Sequence, residues 1–106
     1  VLDAAGIGYA TTAAVDEARG HHVDFGPVAG APRGGGSSWQ SLTRGTGSIE
    51  ADFLNGEIVL LGRENSVPTP VNEALQRLAN RAAADRLPPG SLSPGEIAAA
   101  AGCRDR

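Results

Sequence analysis

Apolar positions recur at helical spacing in two long stretches of this chain, and glycine and proline punctuate the rest. Over residues 48–63, Ile49, Phe53 and Leu60 share one face and Leu54, Ile58 and Leu61 widen it. That pattern predicts a helix buried on most sides. Ser48 is placed to cap it, Glu50 lies in its first turn and Arg63 in its last, as the helix dipole favours. Gly56 in its middle costs about 1 kcal/mol relative to alanine, which points to close approach by another helix or a ligand. Farther on, Thr69 is a cap and Pro70 takes the first helical position, where its missing N–H does no harm. Val71, Leu75, Leu78 and Ala82 then mark a second long helix, ended by "LPPG" at 87–90.

Shorter elements fill the remainder. Residues 1–5 resemble the last turns of a helix, stopped at Gly6. Residues 11–20 carry a start signal in Thr11 or Thr12 and a stop signal in Gly20. Residues 21–36 hold five glycines and two prolines, which predicts loop, with "VDFGPVAG" as its one candidate extended piece. Ser37 caps a predicted short helix over 37–44, broken by "GTG" at 45–47, and Ser93 caps another in "SPGEIAAAAG". No strand pair emerges, so the fold class is all-α with a Gly-rich loop.

At 106 residues the chain is at most one small domain, and 41% of it is apolar. A chain this short buries a modest share of its surface and gains from a partner. The net charge of −3 argues against a nucleic-acid partner, which would want a basic face. One cysteine, Cys103, allows no internal disulfide and points to a reducing, cytoplasmic setting. No apolar run approaches the ~20 residues that cross a bilayer, and no secretory leader is legible. The opening "VLDAAGI" suggests the tail of something longer.

Candidate chemistry narrows quickly. His21, His22 and Asp24 are too few and too divergent for a metal, which needs three or four converging ligands; an exposed loop explains them, and no metal is expected. "RGGGSS" at 33–38 lacks the lysine of a phosphate-binding loop, since all nine basic residues are arginine. "GIGYAT" lacks the third glycine and the preceding strand of a dinucleotide fingerprint. Backbone N–H groups ahead of a helix can still bind an anion such as a carboxylate, though a flexible linker explains the glycines equally. Glu50 and Asp52 stand two apart and so face different directions; spacing favours one dipole partner and one solvated or capping carboxylate over a paired acid and base. Trp39, the lone tryptophan, suits a core or interface better than a stacking platform.

"SSWQSLTRG", "IEADFLNGEIVLLGRENSVPTPVNEAL" and the "AAGI" of residues 4–7 together resemble the C-terminal domain of the ketopantoate reductases (2-dehydropantoate 2-reductases). That family shows two serines, a Gln and an Asp, an Arg-Gly, a Glu-x-Asp, an Asn-Gly and a Gly-Val-x-Thr-Pro-x-Asn. The counterparts here are Ser37, Ser38, Gln40, Arg44, Gly45, Glu50, Asp52, Asn55, Gly56, Pro68, Thr69, Pro70 and Asn72, over about half the chain. Ser41 replaces the usual Asp.

The resemblance implies an NADPH-dependent reductase of a 2-oxo acid, ketopantoate being the namesake, on the route to pantothenate and coenzyme A. It implies a Rossmann domain, absent from these residues, ahead of a helical domain of the 6-phosphogluconate-dehydrogenase C-terminal type, of which residues 1–106 are a part. The active site lies in the cleft between the two. It further implies that Ser37 or Ser38 binds substrate, that Glu50 contacts the cofactor side, and that a lysine earlier in the helical domain is the general acid. With no lysine, this chain holds no catalytic residue and is expected to be inactive alone and not to bind NADPH. A homodimer through helical faces, with helices exchanged, would cover what truncation exposes. The alternative is a stand-alone helical module for oligomerisation or acid binding; a split enzyme is a third, weaker option.

Overall fold

A computed structural model describes residues 1–20 and 35–103. The described residues form five α-helices and no strand: α1 Thr12–Arg19, α2 Ser37–Arg44, α3 Ala51–Glu64, α4 Pro70–Ala84 and α5 Pro94–Ala100. His21, His22, Asp24 and most of the Gly-rich loop lie outside them.

Helices α3 and α4 form the centre, an antiparallel hairpin joined by residues 65–69. The register shows in their contacts: Asn55 meets Asn72, while Asp52, earlier on α3, meets Gln76 and Asn80, later on α4. Helices α2 and α5 both pack against α4. Among the described residues the buried positions are small: Ala51, Val59 and Gly62 on α3, Ala74, Ala82 and Ala83 on α4, and Thr69 between them. Small side chains let two helix backbones close up, so the hairpin is tight although its core is thin.

Gly62 shows how tight. A Cβ there would stand 2.6 Å from Thr69 Cγ2 and 2.7 Å from the Val67 carbonyl oxygen, so the chain leaving α3 folds back against the helix. Gly56, half-buried, has the Gln76 amide nitrogen only 2.9 Å from where its Cβ would be. The neighbour expected at this glycine is therefore a side chain of α4.

The ends of α2, α3 and α4 share one device. After α2, Gly45 at φ 61° gives its N–H to Leu42, and Thr46 reaches back to Ser41. The same left-handed closure ends α3 at Ser66 (φ 56°) and α4 at Arg86 (φ 52°). Residues 1–7 make the same kind of closure, Gly6 (φ 68°) bonding Asp3 and Ile7 bonding Leu2, but they form a turn and not the helix end expected from the sequence.

Of the two threonines expected to cap α1, Thr11 does so, its hydroxyl accepting the Ala14 N–H. Several other expectations need correction. Ser37 is the first residue of α2 rather than its cap, which is Gly36. Ser48 does not cap α3: its carbonyl accepts the Thr46 hydroxyl at 3.0 Å, a local bond that competes with helix formation. The helix starts three residues later, with Glu50 as its N-cap. Thr69 is the cap of α4 by position only, since its hydroxyl makes no capping bond. Finally, α3 is not buried on most sides: Phe53 is 80% exposed, Leu54 58% and Leu60 50%. Its buried positions are the small Ala51, Val59 and Gly62, Ile58 and Leu61 are half-buried, and Phe53, Leu54 and Leu60 point out.

Candidate functional site

The starts of α2 and α3 meet. The Gly45 closure and Gly47, at φ 75°, turn the chain so that the short 45–50 loop brings Glu50 back to the beginning of α2. There the Ser37 hydroxyl donates to Glu50 Oε2 at 3.2 Å. The residues singled out for substrate and for cofactor are thus neighbours in space, thirteen positions apart in sequence. Ser38 stands differently: it is half-buried on the inner side of α2 with Ser41 and Leu42, whereas Ser37 is exposed.

Helix α2 has no side-chain cap, which leaves its first-turn N–H groups for an outside acceptor. Trp39 is half exposed and its ring lies against Gly35, leaving no room for a side chain at that glycine. It is on the outside of α2 and not in the core.

Glu50 and Asp52 diverge as their spacing implies. Asp52 is neither a cap nor simply solvated: its Oδ1 accepts from Gln76 Nε2 at 2.8 Å and from Asn80 Nδ2 at 2.7 Å. Those bonds, Gln76 first and then Asn80, hold the Asp52 carboxyl below its ordinary range, against a small opposing effect of burial. Behind it, Asn55 Nδ2 donates to Asn72 Oδ1 at 2.9 Å, half-buried between the helices. Gln76 and Asn80 escaped the sequence reading. The available signal was a pair of amides four apart on α4, but nothing local showed that one carboxylate would take both.

A lowered carboxyl pKa makes stability pH-dependent in one direction. The native carboxylate holds its proton less tightly than the unfolded one, so the stabilisation is full above the ordinary value near 4 and is lost as pH falls through the native value. Glu96 acts in the same sense, because the backbone N–H and then the hydroxyl of Ser93 donate to it. Asp52→Asn should therefore lower the melting temperature at neutral pH, and the gap to wild type should close below about pH 4. A gap that stays constant down to acid pH would show that the Asp52 charge is not involved.

Among the described residues no group of three His, Cys, Asp or Glu converges on a metal-sized site, and no helix is long and apolar enough to cross a membrane. Cys103 is free and exposed.

No curated protein and no solved structure matches the chain. Residues 1–83 match the family described as ketopantoate reductase PanE/ApbA C terminal. The match spans α1 to α4, including Ser37, Glu50 and the α3–α4 hairpin, and its helical character agrees with the five helices seen. This chain therefore belongs to the ketopantoate reductase family, as part of its C-terminal domain.

Proposed function

We propose that these residues form the C-terminal portion of an NADPH-dependent 2-oxo acid reductase and close the substrate side of the cleft between its two domains. The observation that carries the reading is the Ser37–Glu50 contact at the joined starts of α2 and α3. A 2-oxo acid presents a carboxylate and a carbonyl, both acceptors. The uncapped first turn of α2 offers N–H donors to such an anion, and Ser37 or Ser38 adds a hydroxyl.

Glu50 is an acceptor only, so it suits a ribose hydroxyl or a carboxamide N–H of NADPH and repels its phosphates. In this reading the pyrophosphate is held by a separate Rossmann domain, as the family resemblance implies. When bound, NADPH supplies the hydride; the part played here is to orient the acid beside it. The general-acid lysine is not among these 106 residues, so they are expected to be inactive and not to bind NADPH alone.

Ser37 and Ser38 are separable by experiment. In the complete enzyme a serine that binds the substrate carboxylate must turn its single O–H to it, Ser37 giving up its bond to Glu50, and loss of that donor should raise the KM for the 2-oxo acid roughly tenfold. Exposed Ser37, beside Glu50, is the one expected to show it on change to alanine. If Ser38→Ala raises KM and Ser37→Ala does not, the substrate sits on the inner side of α2 instead. If neither does, the acid does not use this turn.

The outer face of α3 favours a second reading for the residues in isolation. Phe53 and Leu60, a heptad apart, are exposed beside Leu54, and an apolar stripe of this kind seeks a partner. A second copy covering it would give a homodimer by helical faces, the alternative function being oligomerisation or acid binding without chemistry. Light scattering on the 106 residues should give a dimer mass, and Phe53→Glu should shift it to the monomer. A monomer at high concentration for the unchanged sequence would refute this.

A further inference from the structure

We infer that Asp52 is a positioning residue, held by Gln76 and Asn80 of α4 so that the first turn of α3 presents Glu50 to Ser37 and to the cofactor side of the cleft. The inference rests on the reading of Glu50 given above, and it assigns a purpose to three polar residues outside the Ser37–Glu50 pair.

The path is short and continuous. Asp52 Oδ1 takes two amide donors from α4, at 2.8 and 2.7 Å, which fixes the second residue of α3 against its partner helix. The Glu50 carbonyl in turn accepts from the N–H groups of Phe53 and Leu54, both at 3.1 Å. Glu50 is thereby locked to the same turn through its backbone while its side chain, making no capping bond, is free to face Ser37. Without the amide clamp, the start of α3 would fray like any helix end with unsatisfied N–H groups.

Gly56 supports the assignment. A glycine in mid-helix costs about 1 kcal/mol, and the space it leaves is taken by the Gln76 amide, 2.9 Å from the missing Cβ. Gln76 reaches Asp52 by crossing α3 over this bare position. An exposed network of this kind adds only modestly to global stability, so the cost of the glycine makes more sense as control over where a nearby group points.

The test is a double-mutant cycle in the complete enzyme, read as kcat/KM for NADPH. Asp52→Ala and Glu50→Ala should each lower it by roughly 10- to 100-fold. If Asp52 acts through Glu50, the double variant should be no worse than Glu50→Ala alone. Gly56→Ala gives an independent probe, since the methyl displaces only the flexible end of Gln76 and favours the helix. It should lower kcat/KM for NADPH roughly tenfold, with a melting temperature that holds or rises. It also replaces Asp52→Ala in the cycle if that variant fails to fold. Losses that multiply in the double variant overturn the positioning role while leaving Glu50 in the site. An unchanged Glu50→Ala enzyme overturns the reading of Glu50, and the positioning role with it.

Discussion

Gly62→Ala should destabilise the fold by about 2 kcal/mol, against the sign that helix propensity alone would give. Replacing a mid-helix glycine by alanine normally gains close to 1 kcal/mol. Here the new methyl would stand 2.6 Å from Thr69 Cγ2 and 2.7 Å from the Val67 carbonyl oxygen. Thr69 is buried, and the Val67 N–H is itself tied to the Gly62 carbonyl at 2.8 Å, so neither neighbour can retreat without opening the turn between α3 and α4. Overpacking of this kind costs about 1–3 kcal/mol, and a moved backbone puts the change at the upper end. The melting temperature should fall by roughly 10 °C. Gly56→Ala on the same helix is the control, because its neighbour is the mobile end of a side chain. If both variants are equally stable, the hairpin is looser than described.

Glu50→Ala should give the largest functional loss. In the complete enzyme a charged acceptor facing a cofactor donor is worth roughly 10- to 100-fold in kcat/KM for NADPH. The fold should survive, since Glu50 is exposed and its backbone, not its carboxylate, starts α3. Glu50→Gln should recover part of the activity, because the amide oxygen still accepts. Steady-state kinetics with each substrate varied separate the possibilities. A rise in the KM for the 2-oxo acid alone would move Glu50 to the substrate side, and unchanged kinetics would remove it from the site.

Much of the helix layout was legible from caps and stops. The span of α2 over 37–44 and the Ser93 cap of α5 follow from local chemistry, although α2 is capped by Gly36 and not Ser37, and the Glu96 half of the α5 capping box went unread. The start of α3 did not, because the Thr46 hydroxyl takes the Ser48 carbonyl and delays the helix. Its burial was also misjudged. An all-round apolar pattern says that neighbours are wanted, not that these residues supply them, and Phe53 is left 80% exposed.

The site divides in the same way. Ser37, Ser38 and Glu50 were legible only through the family pattern, and nothing local shows that Ser37 and Glu50 touch. The Asp52–Gln76–Asn80 clamp depends on the register of two helices, which no single-helix argument supplies. Ser66 is instructive: the family pattern has glycine there, and this chain holds the same left-handed closure with a serine at φ 56°. The motif thus marked a backbone conformation that the residue type concealed.

The most direct measurement is NADPH consumption on addition of ketopantoate, by the complete gene product carrying these residues and by the 106 residues alone. Turnover by the complete product and none by the 106 residues is the expected result, because one wall of a cleft without its general acid cannot assemble the reaction. No turnover by the complete product with ketopantoate or other 2-oxo acids, under conditions where it binds NADPH, would contradict the account. It would leave a helical module that pairs or binds acids without chemistry.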